Sequence, residues 1–217
     1  MNPVAAFAML SVGPHHGSDV PSDTASRTWH ALVEARNGAW SLQPVKVTVE
    51  TVRDEMVDPK EGPFTGREVR ATKVEGQIRI LISGDLTPGP LQVANPKPTR
   101  LWPGQHQRLT VGQHWIALSA FGTVPKPSGS SGAFLHSFGL LATTEGDRRN
   151  PVTLFENAVD DAHPSAWFVG DLDRDGFPDV IAQTSPKYSF SQTTLLLSSP
   201  SNGKSLTTVA VYAEYGC

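Results

Sequence analysis

A chain of 217 residues holds one large domain or two small ones and is long enough to bury a sizeable core. Gly and Pro make up 37 of those residues, 17% against ~12% in average usage, which argues against a helical bundle or coiled coil, and charged residues at 18% are too few for a disordered, solvated chain. A formal net charge of -3, from 18 bases and 21 acids, gives no general electrostatic reason to bind nucleic acid or an anionic membrane, and no apolar run is long enough to span a bilayer.

Residues 1–27 read as a flexible N-terminal arm. Val4 to Leu10 is apolar like the centre of a signal peptide but lacks a basic stretch before it, so a trimmed export signal and a plain arm both stay open. Residues 11–27 are polar and broken by Gly and Pro, and His15-His16 within them lacks the third ligand that a transition metal needs. From Trp29 the texture changes. Asn37-Gly38 between apolar runs is a hairpin signal and predicts two strands, and Val45, Val47 and Val49 alternate with polar residues in the period of a half-buried strand. Residues 54–67 read as a polar loop, Ile78–Ser83 and Leu91–Val93 as strands, and Pro88-Gly89-Pro90 as the turn between them.

Three prolines between Asn95 and Pro103 exclude regular structure there. Strands are expected at Arg108–Val111, Ile116–Phe121, Phe134–Thr143, Val152–Phe155, Ala166–Val169, Asp179–Gln183, Thr194–Leu197 and Thr208–Tyr212, the cadence of antiparallel meanders. His106 and His114 flank the first of these without a third ligand at strand spacing. Gly129-Ser130-Ser131-Gly132 is one residue short of the nucleophile elbow of serine hydrolases and reads as a loop. With no amphipathic helix of useful length, the fold class is mainly β: antiparallel sheets, sandwich-like or meandering, with little helix, in a single domain over 28–217.

Charge is distributed unevenly. Seven of the 21 acids fall between Glu156 and Asp179, against one base, Arg174. Residues 170–180 read GDLDRDGFPDV, and with Asp171 as loop position 1, carboxylates occupy positions 1, 3, 5 and 9 (Asp171, Asp173, Asp175, Asp179) with Gly176 at position 6. Ca2+ takes 6–8 oxygens at about 2.3–2.6 Å, and a tight loop can aim alternate side chains at one centre while position 7, here Phe177, offers its backbone carbonyl. Gly176 permits the sharp turn. Position 12 is Ala182 in a strand-like run, which disfavours an EF-hand with its bidentate Glu and flanking helices.

The segment SAWFVGDLDRDGFPDVIAQTS, followed by the apolar strand TLLLSS, resembles an FG-GAP or VCBS-type repeat, covering roughly residues 165–199. The resemblance implies a calcium-loop hairpin with Asp171, Asp173, Asp175, Asp179 and the Phe177 carbonyl as metal ligands. A propeller needs several blades, so one copy implies such a hairpin set within another β domain; Gly84 to Val93 echoes the outline with a single acid.

A site of this kind stabilises the folded chain and fills where calcium is abundant, pointing to a periplasmic or secreted protein. The expected function is non-enzymatic binding of another protein or a surface glycan, of inhibitor or immunity type, with Trp102, Trp115 and Trp167 as contact surface or as core. The alternative is a hydrolase using Asp160, Asp161 and His163 beside the loop; the other reading of these residues is a polar turn ended by Pro164. Cys217, the one cysteine, permits no intrachain disulfide and no cysteine zinc cluster; it is either a tolerated terminal thiol or the site of an intermolecular disulfide.

Overall fold

Alternating apolar and polar residues mark β-strands such as His106–Val111 and His114–Thr123, while continuous apolar runs such as Trp29–Glu34 and Ser165–Gly170 form the buried ones. The computed structural model describes residues 7–95, 100–123, 137–156, 164–186 and 189–215. It is mainly β, with 53% of residues in strands, the paired strands running antiparallel and, among the described residues, short 3-10 turns as the helical structure. Among the described residues no helix is long and apolar enough to cross a membrane. The chain divides into two compact units, Met1–Leu91 and Gln92–Cys217, the boundary falling inside the stretch expected as a single domain.

The first unit holds β1 (Ala8–Leu10), β2 (Gly13–His15), β3 (Trp29–Glu34), β4 (Trp40–Val45), β5 (Val47–Val52), β6 (Gly66–Ala71), β7 (Gln77–Ser83) and β8 (Gly89–Pro90). One sheet runs β1-β7-β3-β4-β8, the other β2-β6-β5. The β3–β4 hairpin turns at Asn37-Gly38, where the Asn37 carboxamide accepts the Ala39 N–H at 3.1 Å and the Ala35 N–H reaches the Ala39 carbonyl at 2.8 Å. The Gly38 N–H also donates to the Ala35 carbonyl at 2.9 Å, and Gly38, at φ 82°, takes the left-handed conformation while Asn37 does not, so the connection is a three-residue loop closed by a glycine bulge rather than a two-residue Asn-Gly turn.

Residues 8–27, read from sequence as part of an arm, are built into this unit. β1 pairs with β7 and β2 with β6, Met9 and Leu10 are buried, and the Trp29 indole donates to the Thr24 carbonyl at 2.8 Å. Pro14 is compatible with pairing because β2 is an edge strand. The expected strand over Leu91–Val93 is also redistributed. Gly89–Pro90 pairs with Ser41 and Leu42 instead of turning, the Leu91 N–H donates to the Trp40 carbonyl at 2.9 Å, and pairing resumes at Val93 in the second unit.

The second unit holds β9 (Val93–Asn95), β10 (His106–Val111), β11 (His114–Thr123), β12 (Ser137–Thr144), β13 (Val152–Phe155), β14 (Ser165–Gly170), β15 (Asp179–Gln183), β16 (Phe190–Leu197) and β17 (Thr207–Tyr215). The sheets are β10-β11-β12-β13 and β17-β16-β15-β14-β9. One core takes Leu109, Ile116, Leu118, Phe138 and Leu140 from the first and Ala166, Val169, Val180, Ala182 and Leu196 from the second, an arrangement of the sandwich kind. The β14–β15 hairpin lies inside its sheet, with β16 and β9 on its two sides, so the connection between these strands starts and ends on fixed backbone.

Candidate functional site

That connection, residues 171–178, carries Asp171, Asp173 and Asp175, and Asp179 opens β15 at its exit. Gly170 pairs with Asp179 across its base, and the Asp171 N–H donates to the Gln92 carbonyl at 3.0 Å, which fixes the entry beside β9. Leu172, fully buried, pins the loop inward between the acidic positions. The chain reverses through two residues with positive φ, Arg174 at 67° and Gly176 at 90°. A Cβ at Gly176 would meet no atom within 4 Å, so its glycine answers to backbone conformation rather than to crowding.

The structure brings together oxygens of Asp171, Asp173 and Asp179, all within 4.8 Å of one another. Two ligands on opposite sides of one Ca2+ are separated by about 4.8 Å, so the group spans the coordination sphere of a single hard cation. Asp175 lies outside this group. Its oxygens accept the Phe177 N–H at 2.8 Å and the Ser198 hydroxyl at 3.4 Å, which holds it at the rim.

Asp179 is wholly buried and bound on both oxygens: Oδ2 accepts the Leu172 N–H at 2.8 Å, Oδ1 the Ser198 N–H at 2.9 Å. Asp171 Oδ2 accepts the Gly176 N–H at 3.1 Å, whereas Asp171 Oδ1 is buried with no hydrogen-bond partner. A buried carboxylate oxygen without a donor is costly unless a cation compensates it. Burial is the first cause that raises the proton affinity of Asp171, Asp175 and Asp179 above its ordinary value. The neighbouring charge of Asp173 adds to it at all three, and backbone N–H groups oppose it. The effect is largest at Asp179. A divalent cation would remove the repulsion and the desolvation cost together.

Phe177 packs its ring against His114 at the start of β11, with centroids 4.0 Å apart, and against Gly203, where a Cβ would come within 2.3 Å of the ring. His114 also pairs with Glu145 at 3.4 Å. His106, the other histidine considered for a metal pair, sits at the far end of the β10–β11 hairpin opposite Ser119. His15 bonds the Ser11 carbonyl at 3.0 Å, and His16 bonds Asp54. Of the tryptophans considered for contact, Trp102 is exposed; Trp115 and Trp167 are half-buried, and the guanidinium of Arg108 lies 4.3 Å from the Trp115 ring centre. Asp160, Asp161, His163, the Gly129–Gly132 segment and Cys217 lie outside the described residues.

Ser198 is the participant that sequence reading missed. Ser-Ser-Pro after an apolar strand reads only as a turn, and its 19-residue separation from Asp179 follows from β15 and β16 running antiparallel. Compared with protein-family models, curated proteins and solved structures, the chain matches none.

Proposed function

We propose that the loop binds Ca2+ through Asp171, Asp173, Asp175, Asp179 and the Phe177 carbonyl, and that the chain is a calcium-stabilised, non-enzymatic binding domain. The observation that carries this is the buried, donorless Oδ1 of Asp171 beside the carboxylates of Asp173 and Asp179. A donor set of this kind suits a hard oxygen-seeking cation; Mg2+ fits less well because it keeps its waters and takes few carboxylates. The resemblance of residues 165–199 to a single FG-GAP or VCBS-type repeat points the same way.

Extracellular calcium modules bind at about 10⁻⁴–10⁻³ M, so a site of this class fills in the periplasm or outside the cell and stays empty in the cytoplasm. The domain therefore works outside the cytoplasm, binding another protein or a surface glycan as an inhibitor or immunity-type protein does. The test is calorimetric titration of CaCl2 into the EDTA-stripped chain. One site per chain, lost in Asp171→Asn, is expected; absence of binding up to 10 mM CaCl2, roughly ten times the weak end of that range, overturns the reading.

A further inference from the structure

A cleft of about 1280 Å³ opens at the turn end of the β3–β4 hairpin in the first unit, lined by that hairpin and by the β6–β7 connection, residues 72–76. Its walls are fixed. The Gln43 amide donates to the Ser41 hydroxyl at 3.1 Å and to the Glu75 carbonyl at 3.3 Å, and so ties the connection to β4. At Gly76, with φ +117°, a Cβ would lie 2.8 Å from the Glu34 carbonyl, so the connection runs close against β3. Arg79 on β7 and Glu34 on β3 pair at 3.6 Å. A site whose walls are already held costs little ordering when a ligand enters.

The lining selects among ligands. Three bases, Arg36, Lys73 and Arg79, are interspersed with two acids, Glu34 and Glu75, so a polyanion meets carboxylates and a polycation meets guanidinium groups. A lipid tail would bury charged groups without pairing them. An extended peptide is recognised along a free strand edge, yet β7, β3 and β4 each have neighbours on both sides in the sheet. The edge strand β8 contributes Pro90, which has no N–H to offer. What the cleft presents is side chains: carboxylates that accept, guanidinium groups that donate, and the amides of Asn37 and Gln77 that do both. The vicinal hydroxyls of a sugar ring, each a donor and an acceptor, match such planar groups in pairs, and the aliphatic Ala35, Ala39 and Val74 beside them suit its C–H face. The volume exceeds the ~300–1,000 Å³ of ordinary small-molecule sites, which leaves room for several sugar units.

We propose that this cleft binds an uncharged oligosaccharide of a cell surface, with Glu34, Arg36, Gln77 and Arg79 hydrogen-bonding ring hydroxyls. The cleft names the ligand class for the binding function, resting on that reading of the chain but not on the calcium site.

The test screens the full chain on a printed array of neutral and acidic cell-surface oligosaccharides, then titrates the best-bound one calorimetrically. Binding of a neutral oligosaccharide, unchanged between low and high salt, is expected. The double variant Arg36→Ala/Gln77→Ala should weaken it at least about tenfold, because the sugar hydroxyls lose their partners. Both side chains are exposed, so thermal melts should match wild type. A neutral oligosaccharide bound equally well by the variant overturns the cleft while leaving the binding function standing. Binding confined to acidic oligosaccharides and lost in high salt overturns the uncharged ligand. An array with nothing bound overturns the cleft as a glycan site and removes the surface glycan from the binding function, which then stands on a protein partner alone.

Discussion

Ser198 holds Asp179 twice through one oxygen, by its backbone N–H at 2.9 Å and by its hydroxyl at 3.2 Å, while the Leu172 N–H holds the other at 2.8 Å. The acidic loop and the exit of β16 are thus both tied to the buried carboxylate that opens β15. The arrangement needs no cation to be useful, and this separates the role of Asp179 from that of its acidic neighbours.

Asp179→Asn replaces one acceptor oxygen by an NH2 facing backbone N–H donors. It is expected to cost about 3 kcal/mol even with EDTA present, because a buried donor is left facing another donor. Urea denaturation in EDTA checks it; a loss confined to calcium-containing buffer would contradict it.

Among the described residues Asp173 accepts the Asp175 N–H, at a long 3.3 Å, so its removal costs the apo fold little. Calcium at one hundred times its dissociation constant should stabilise the wild type by about 2.7 kcal/mol. That raises the melting temperature by several degrees over EDTA. Asp173→Ala should melt like wild type in EDTA and show no calcium shift. Differential scanning calorimetry reads both.

The His16–Asp54 pair makes stability in the first unit pH-dependent. The hydrogen bond to Asp54, with the charges of Asp54 and Asp19, raises His16 above its ordinary value; the bond to His16, then the Met56 N–H, lowers Asp54. A raised histidine contributes fully below its unfolded value of about 6.5 and loses that contribution as pH rises through its folded value. A lowered aspartate contributes above about 4 and loses it as pH falls through its folded value. The stability difference between wild type and His16→Ala should therefore be widest between about pH 4 and 6.5 and shrink on both sides. Denaturant midpoints across pH 3–9, compared for the two proteins, test this.

Gly203→Ala and Gly176→Ala separate crowding from backbone cost. At Gly203, with φ +74°, the new Cβ would lie 2.3 Å from the Phe177 ring; at Gly176, with φ +90°, it meets nothing within 4 Å. Gly176→Ala should cost about 1 kcal/mol, and Gly203→Ala about 2 kcal/mol, because the ring must move as well. Calcium titration should show a several-fold weaker site in Gly203→Ala, since displacement of Phe177 carries its carbonyl along.

The parts legible in the sequence are those written in local spacing. The Asn37-Gly38 hairpin and the short strands of the second unit form where the sequence places them, whereas the alternating run Val45, Val47, Val49 is broken at Lys46, Val45 ending β4 and Val47 opening β5 in another sheet. The arm was illegible because Met9 and Leu10 owe their burial to β1 pairing with β7, some seventy residues away, while nearby Gly and Pro imitate a loop. The Leu91/Gln92 boundary between the units lies in a proline-rich stretch, with Pro88 and Pro90 before it and Pro96 and Pro98 after it, which reads as a turn and an irregular loop within one domain. At the acidic loop, consecutive spacing anticipated the grouping of Asp171, Asp173 and Asp179, but not the tether from Ser198 that holds Asp175 at the rim. Residues 54–67 read as a plain polar loop because Asp54 and Asp58 look like surface residues until their backbone partners are known, and Gly66 and Arg67 at its end belong to β6.

The stack of Phe177 on His114, at 4.0 Å between centroids, gives the acidic loop a built-in spectroscopic label. A phenyl ring that close shifts the imidazole protons by its ring current, and the chain has only seven histidines to sort among. A histidine-selective proton–nitrogen spectrum of unmodified protein then follows the position of the Phe177 ring in solution. Any rearrangement of the turn, whatever provokes it, is written in the line position of a side chain on the neighbouring sheet.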